Sequence, residues 1–183
     1  MKFLILSLSL LVFGIKPALA QFEDPKEITP QILQKIKEDV EKEVKSYSDN
    51  LSIDEMSKDQ LEFSIDTFKI EHLVSKRMDI DYSTAGMNTT LDERTKAYDV
   101  LLNKYYNKIL KLLKPEDKKA LISAQKSWIA YRDTEMKLIA TLTKESYSGG
   151  GTIQSSIATG AYSDLVVNRT IELFRYYDGI VKE

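Results

Sequence analysis

The feature that most constrains the fold is an apolar repeat in steps of four and three residues. It is longest between Pro115 and Thr143, where these steps select one face of a helix. No stretch keeps the apolar–polar alternation of a strand, and the four prolines lie at predicted helix starts or outside the elements. The sequence therefore predicts an all-α fold. The residues of the selected face are Leu121, Gln125, Trp128, Arg132, Glu135, Ile139 and Leu142.

The middle of this face is polar, although both ends are apolar. An unpaired buried charge is costly, so polar residues on a core-facing stripe need partners. We expect Arg132 to pair with Glu135 one turn later, so that removing Arg132 would strand a buried carboxylate. Asp133 points about 100° away and is expected to be exposed. The predicted structural network consists of Gln125, Trp128, Arg132, Glu135, Arg169 and Glu172, the last two being a second pair of the same spacing.

Four further helices have recognisable start signals. These signals are Thr29-Pro30, the capping box Ser57 to Gln60, Asn88 or Thr89, and Thr152. The first helix is expected to end near Ser46. We predict a bundle of three long helices, with the two joined at Pro115 antiparallel and one or two additional N-terminal helices packed against them. On the last helix, the residues expected on or near the core face are Ile153, Ile157, Ala161, Leu165, Arg169, Leu173 and Tyr176.

Residues 1–20 are interpreted as a signal peptide. Lys2 supplies a positive start, and an apolar run from Phe3 to Ile15 precedes Ala18-Leu19-Ala20, a cleavage signal. The run is shorter than the roughly 20 residues that a membrane span needs. No cysteine follows that could carry a lipid. We expect an exported protein, periplasmic or secreted, cleaved near Ala20, with no membrane span or lipid anchor in the mature chain.

Composition narrows the classes of function. Without the two lysines of the first 20 residues, 24 basic and 28 acidic residues remain, a net charge of −4. This balance argues against nucleic acid, which is bound mainly by neutralising phosphates. The absence of cysteine excludes disulfides, thiol catalysis and thiolate metal sites. His72 is the only histidine, so no His-based metal cluster or catalytic triad can form. We expect no cofactor and no metal.

Several motifs between residues 82 and 177 are shared with one family. They are Gly86-Met87-Asn88, Leu102–Tyr106, Gln125–Glu135 with its Trp-x-x-Tyr-Arg-Asp-x-Glu core, Gly149–Ile153 and Asn168–Leu173. In combination they resemble the LprI-like lysozyme-inhibitor family of exported bacterial all-helical domains. The resemblance implies an LprI-like helical domain over residues 82–180, preceded by an N-terminal helical extension over 21–81. It also implies a binding protein with a lysozyme-like partner rather than an enzyme.

The segment from Ser146 to Thr152 is the candidate partner-binding loop. A helical bundle presents mainly its inter-helix loops to a partner, and tyrosine is a residue type favoured at interfaces. We therefore expect Tyr147, Gly149, Gly150 and Gly151 to contact the partner. The alternative is that the three glycines only allow the chain to reverse between two long helices.

Two other functions are compatible with the sequence. The chain could be an exported accessory or structural interaction module without inhibitory activity. It could also be a glycan-processing enzyme that uses two carboxylates, although no acidic pair stands at a recognisable spacing. The sequence does not indicate an oligomeric state.

Overall fold

A computed structural model describes residues 24–51 and 56–180 of the chain. The predicted signal peptide and its cleavage point lie outside these residues. Within them the chain forms six helices and no strand, which confirms the all-α prediction. The helices are α1 (Pro30–Asn50), α2 (Lys58–Ile80), α3 (Thr84–Leu112), α4 (Lys118–Leu142), α5 (Glu145–Ser148) and α6 (Ile153–Asp178).

The core lies between α3 and α6. Tyr98, Leu102 and Tyr105 of α3 are buried against Val166 and Leu173 of α6. The predicted polar-centred face of α4 is the side turned toward the bundle, but it is only partly covered. Leu121 is buried, Leu142 is exposed and the other five residues are half-buried, with Trp128 packed against the core. Helix α4 lies at the edge of the bundle and packs chiefly on α6.

Small hydroxyl residues line the interface between α3 and α6. Ser163 and Thr170 are fully buried on α6, facing a helix that buries Thr90 and Thr95. The Thr170 hydroxyl donates to the Val166 carbonyl at 2.8 Å and lies 3.1 Å from the Tyr98 carbonyl across the interface. Side chains this short let the two helices approach closely.

The predicted core face of α6 was therefore rotated from the true one. Its Ile153, Ile157 and Tyr176 are exposed, whereas Leu173 is buried as expected. The buried stripe runs through serine and threonine because these residues fit where larger apolar side chains would not.

Helix α2 covers the other side of the core with aromatic side chains. Phe63 stacks on Phe174 with ring centroids 3.9 Å apart, and both meet the ring of Tyr105 edge to face. At the far end of α2, Arg77 is buried, forms an ion pair with Glu93 and donates to Thr90. These contacts attach α2 firmly to α3.

Helix α1 makes most of its contacts with α2. Ile36 and Val40 are its buried residues, and Tyr47 stacks on Phe68 at 4.1 Å. His72 stacks on the other side of Phe68 and lies 2.8 Å from a carboxylate oxygen of Glu43. The single histidine is thus part of the contact between α1 and α2.

Two of the predicted helix starts are correct. Thr29 caps α1 and Ser57 forms the capping box with Gln60, although α1 continues to Asn50 rather than ending near Ser46. Helix α4 begins at Lys118, after a turn at Pro115, and not at the proline itself. Thr152 occupies the position before α6, but its side chain makes no capping hydrogen bond.

The start of α3 lies five residues earlier than predicted. Ser83 caps it by accepting from the Gly86 N–H at 3.0 Å, whereas Asn88 and Thr89 lie within the helix. The Ser83 hydroxyl in turn donates to Asp81 at 2.6 Å. A Cβ on Gly86 would lie 2.1 Å from the Asp81 Cγ, so a larger residue here would require the Asp81 side chain to move away from Ser83.

Candidate functional site

A stack of arginine and aromatic side chains joins α4 to α6. The guanidinium carbons of Arg132 and Arg169 lie 5.4 and 5.9 Å from the centroid of the Trp128 ring. Arg132 also lies 5.8 Å from the ring of Tyr162 on α6. Both distances to the indole are within the range of cation–π attraction. The only tryptophan of the chain therefore lies between two charged side chains, as well as against the edge of the core.

Arg169 is the hub of the polar contacts in this region. Its Nε donates to the Gln125 side-chain oxygen at 3.0 Å, and its Nη1 donates to Glu172 at 2.6 Å. The second oxygen of Glu172 accepts from the Tyr176 hydroxyl at 2.7 Å. The Arg169 side chain is only 6% exposed, yet its Nη2 has no hydrogen-bond acceptor. Four of the six predicted network residues, Gln125, Trp128, Arg169 and Glu172, thus come together here, and Arg132 joins them through its contact with Trp128.

The other part of the predicted network is arranged differently. Arg132 donates to Asp133 through Nε at 2.9 Å and Nη2 at 2.7 Å, and not to Glu135. Asp133 is exposed, as expected. Glu135 is half-buried and does not pair with Arg132. The reason is that α4 lies at the edge of the bundle, where Arg132 can turn toward the nearer carboxylate at the surface.

Four carboxylates of the described residues have lowered pKa values, which favours their ionised form. The pKa of Glu172 is lowered by the Tyr176 hydroxyl and by Arg169. The pKa values of Asp39, Glu43 and Glu62 are lowered as well, each chiefly by a hydrogen bond from a lysine. A glycosidase needs a general acid whose pKa is raised. These four groups have the opposite shift.

A surface groove opens beside the arginine–tryptophan stack. It has a volume of about 470 Å³ and lies between α4 and α6. Sequence reasoning did not assign Asn168 and Arg175 to a site, although they lie four residues before and three residues after Glu172 and share a helix face with it. The groove is lined by Trp128, Tyr131, Leu165, Asn168, Arg169, Ile171, Glu172 and Arg175.

The predicted partner-binding loop contains a short helix and a glycine turn. Tyr147 lies on α5 and is 69% exposed. Gly149, Gly150 and Gly151 follow with φ angles of 78°, 79° and 92°, in the region that favours glycine. The Gly150 N–H donates to the Ser148 hydroxyl at 3.1 Å, which fixes the turn. The glycines therefore have a conformational role, whatever else they contact.

The ends of the helices beside α5 expose further apolar side chains. Leu138 and Leu142 lie in the last turns of α4, and Ile153 and Ile157 lie in the first turns of α6. All four are between two-fifths and three-fifths exposed. We call these residues together with Tyr147 the apolar tip. Single exposed apolar residues are ordinary, but five within 20 residues of chain form a feature that needs an explanation.

The sequence profile of the lysozyme inhibitor LprI family matches residues 75–173. The chain belongs to the LprI family. The resemblance predicted from the motifs is thereby confirmed, and the matched segment runs from within α2 to within α6. It includes the Trp128 stack, the apolar tip and all of the groove lining except Arg175, whereas α1 lies outside it.

One curated relative matches part of the chain. A Rhizobium meliloti (strain 1021) protein, described as uncharacterized, is 28% identical over 104 residues. The alignment covers 50% of this chain and 71% of that protein. No solved structure matches the chain. The inference of function therefore depends on LprI family membership together with the surface described above.

Other classes of site find little support in residues 24–51 and 56–180. Those residues hold no group of three or more His, Cys, Asp or Glu side chains that could hold a metal ion. They also include no helix with the length and apolar character required to span a bilayer. In this LprI family member, the features that call for a functional account are the groove and the apolar tip.

Proposed function

We propose that this protein is an exported inhibitor that acts by docking on a lysozyme-like enzyme. The observation that carries the proposal is the match to the lysozyme inhibitor LprI family over residues 75–173. Export is inferred from the apolar run and the cleavage signal in residues 1–20. A net charge of −4 after cleavage favours a cationic partner, since opposite charges speed the encounter.

The apolar tip is the surface proposed for docking. Among the described residues, Tyr147 is the most exposed of the large apolar and aromatic side chains. It is flanked by exposed leucines of α4 and isoleucines of α6. A cluster of this kind at one end of a bundle can enter a cleft, and a central aromatic residue is a common anchor in such interfaces.

Titration of the purified mature protein into lysozyme tests the inhibitory activity. We expect the rate of cell-wall lysis to fall in proportion to the inhibitor added, until the enzyme is saturated. Incubation of the protein alone with peptidoglycan is the control, and it should release no fragments. Full lysis in the presence of folded protein would contradict inhibition and favour an accessory interaction module. Release of fragments by the protein alone would instead indicate a glycan-processing enzyme.

Substitution of Tyr147 tests the docking surface. Loss of a central aromatic anchor costs about 2 kcal/mol or more, so Tyr147→Ala should raise the Kd for lysozyme by at least about tenfold. Val100→Ala is a matched control, because Val100 is 68% exposed on α3, away from the tip. Calorimetry at equal folded fractions measures both. If Tyr147→Ala binds as tightly as Val100→Ala, the apolar tip is not the docking surface.

A further inference from the structure

The groove between α4 and α6 contains a buried cation whose hydrogen bonds are incomplete. Arg169 is 94% buried by side-chain area, lines the groove and has an Nη2 without an acceptor. That Nη2 has almost no accessible surface, so Arg169 contributes its positive charge to the groove rather than a hydrogen bond to a ligand.

The charge of the groove favours an anionic acceptor. Glu172 is the one carboxylate in the lining, and both of its oxygens already accept hydrogen bonds, from Arg169 and from Tyr176. Arg175 is exposed at the groove and forms no ion pair within the described part of the chain. The lining therefore has a net charge of +1 in a protein whose overall charge is negative.

The shape and polarity of the groove restrict which anion would fit. The planar fork of a guanidinium matches carboxylates and phosphates alike, but a single excess positive charge suits a singly charged carboxylate better than a doubly charged phosphate. Trp128 and Tyr131 provide aromatic surface, and the Asn168 amide can both donate and accept hydrogen bonds. A volume of about 470 Å³ falls within the range of small-molecule sites and exceeds that of one acidic side chain.

We propose that this groove binds a sugar that carries a carboxylate. Arg175 binds the carboxylate, the buried charge of Arg169 adds to the attraction, Asn168 binds a hydroxyl or amide of the sugar, and the aromatic rings cover its apolar face. The carboxylate is the part that selects the ligand. The site is separate from the apolar tip and does not depend on inhibitory activity. A failure to inhibit lysozyme would therefore not contradict the proposed sugar site.

Trp128 allows the site to be tested directly, because it is the only tryptophan of the chain and lies in the groove. Fluorescence and the indole N–H resonance are followed while N-acetylmuramic acid or glucuronic acid is added. We expect saturable changes in both signals that weaken as salt is raised. N-acetylglucosamine lacks the carboxylate and should bind at least about tenfold more weakly, since a charge-assisted hydrogen bond is lost.

Variants then locate the ligand in the groove. Arg175→Gln should raise the Kd of the carboxylated sugars by at least about tenfold. It should keep the wild-type melting temperature, because Arg175 is exposed. Lys137→Gln is the matched control, being an exposed charge on α4 outside the groove lining, and it should bind as wild type does. Asn168→Ala, also exposed, provides a second variant that is expected to fold.

Three outcomes would overturn the proposal. The first is the absence of a saturable change with either carboxylated sugar in both the fluorescence and the indole resonance. The second is equal affinity for N-acetylglucosamine, which would mean that the carboxylate does not select the ligand. The third is equal or tighter binding of N-acetylglutamate, which would identify the groove as a receptor for acidic side chains rather than sugars.

Discussion

Helix α6 has two long neighbours, and it meets them in opposite ways. Toward α3 it presents Ser163, Val166 and Thr170, all buried, in a close interface that forms the centre of the molecule. Toward α4 it presents Arg169 and Tyr162, which meet an indole and a second guanidinium. The first interface excludes solvent, while the second leaves a groove beside it. Close packing by small side chains thus provides the stability, and looser packing by large polar ones provides the candidate site.

The largest expected effect contrasts a core leucine of α6 with a surface leucine of α4. Leu173 is fully buried, so Leu173→Ala should lower the free energy of unfolding by about 2–5 kcal/mol. Leu138 is 49% exposed, and Leu138→Ala should change it by less than about 0.5 kcal/mol. Denaturant unfolding of the two variants measures the difference. Similar midpoints would mean that the exposed side of α4 contributes as much to stability as the core face of α6 does.

Two helix starts that depend on hydrogen bonds between nearby residues were predicted correctly from the sequence. Thr29 and Ser57 cap helices through hydrogen bonds to residues three positions away, so a short sequence window contains both partners. The start of α3 was missed because its determinant is a set of contacts among Asp81, Ser83 and Gly86. No standard capping box identifies that set.

The faces of the helices were harder to predict than the helices themselves. A periodicity analysis counts Ser163 and Thr170 as polar, so it assigned the core face of α6 to the isoleucines instead. Yet the Thr170 hydroxyl donates to a carbonyl of its own helix, which makes its burial inexpensive. Close approach of two helices depends on small residues in both, and a pattern read from one helix does not contain that information.

The candidate site was predicted only in part, because it too depends on how two helices pack. The Arg169–Glu172 pair follows from its spacing along one helix. The contact between Arg169 and Gln125 requires knowledge of how α4 and α6 pack, and so does the groove lined by Arg175. Those features depend on tertiary structure, which sequence spacing does not determine.

The two arginines of the α4–α6 interface provide the next contrast. Arg169→Met keeps the aliphatic stem but removes hydrogen bonds to Gln125 and Glu172, and should cost about 1–3 kcal/mol. Arg132→Met removes a pair with exposed Asp133 and should cost less than about 1 kcal/mol. This reverses the expectation from sequence that Arg132 would be the critical residue. Urea unfolding of the two variants decides between them, and a greater loss for Arg132→Met would restore the original expectation.

Two buried tyrosines of α3 differ in the hydrogen bonding of their hydroxyl groups. The Tyr98 hydroxyl donates to Glu71 at 2.8 Å, so Tyr98→Phe should cost about 1 kcal/mol. The Tyr105 hydroxyl is fully buried without a hydrogen-bond partner, so Tyr105→Phe should be neutral or stabilise the fold by up to about 1 kcal/mol. Thermal unfolding of both variants tests this. A destabilised Tyr105→Phe protein would imply that the hydroxyl has an acceptor.

The smallest effect is a pH dependence that belongs to the α4–α6 interface. The pKa of Glu172 is lowered from 4.5 by Tyr176 and Arg169, so the folded state binds this proton more weakly than the unfolded state. The resulting stabilisation is complete well above pH 4.5 and is lost as the pH falls through the lowered pKa of the folded state. Because the Glu172 side chain is 45% exposed, solvent screening should keep the effect below about 1 kcal/mol.

Comparison of wild type with Glu172→Gln isolates this contribution. The variant keeps the size of the side chain but cannot ionise, so it should be slightly less stable than wild type at pH 7. As the pH falls below 4.5 and the wild-type carboxylate is protonated, the difference between the two urea midpoints should shrink toward zero. The other carboxylates are protonated equally in wild type and variant. Subtracting one midpoint from the other therefore removes their contributions. A difference that stays constant from pH 7 to pH 3 would show that the link from Tyr176 through Glu172 to Arg169 stabilises the protein through packing and not through charge.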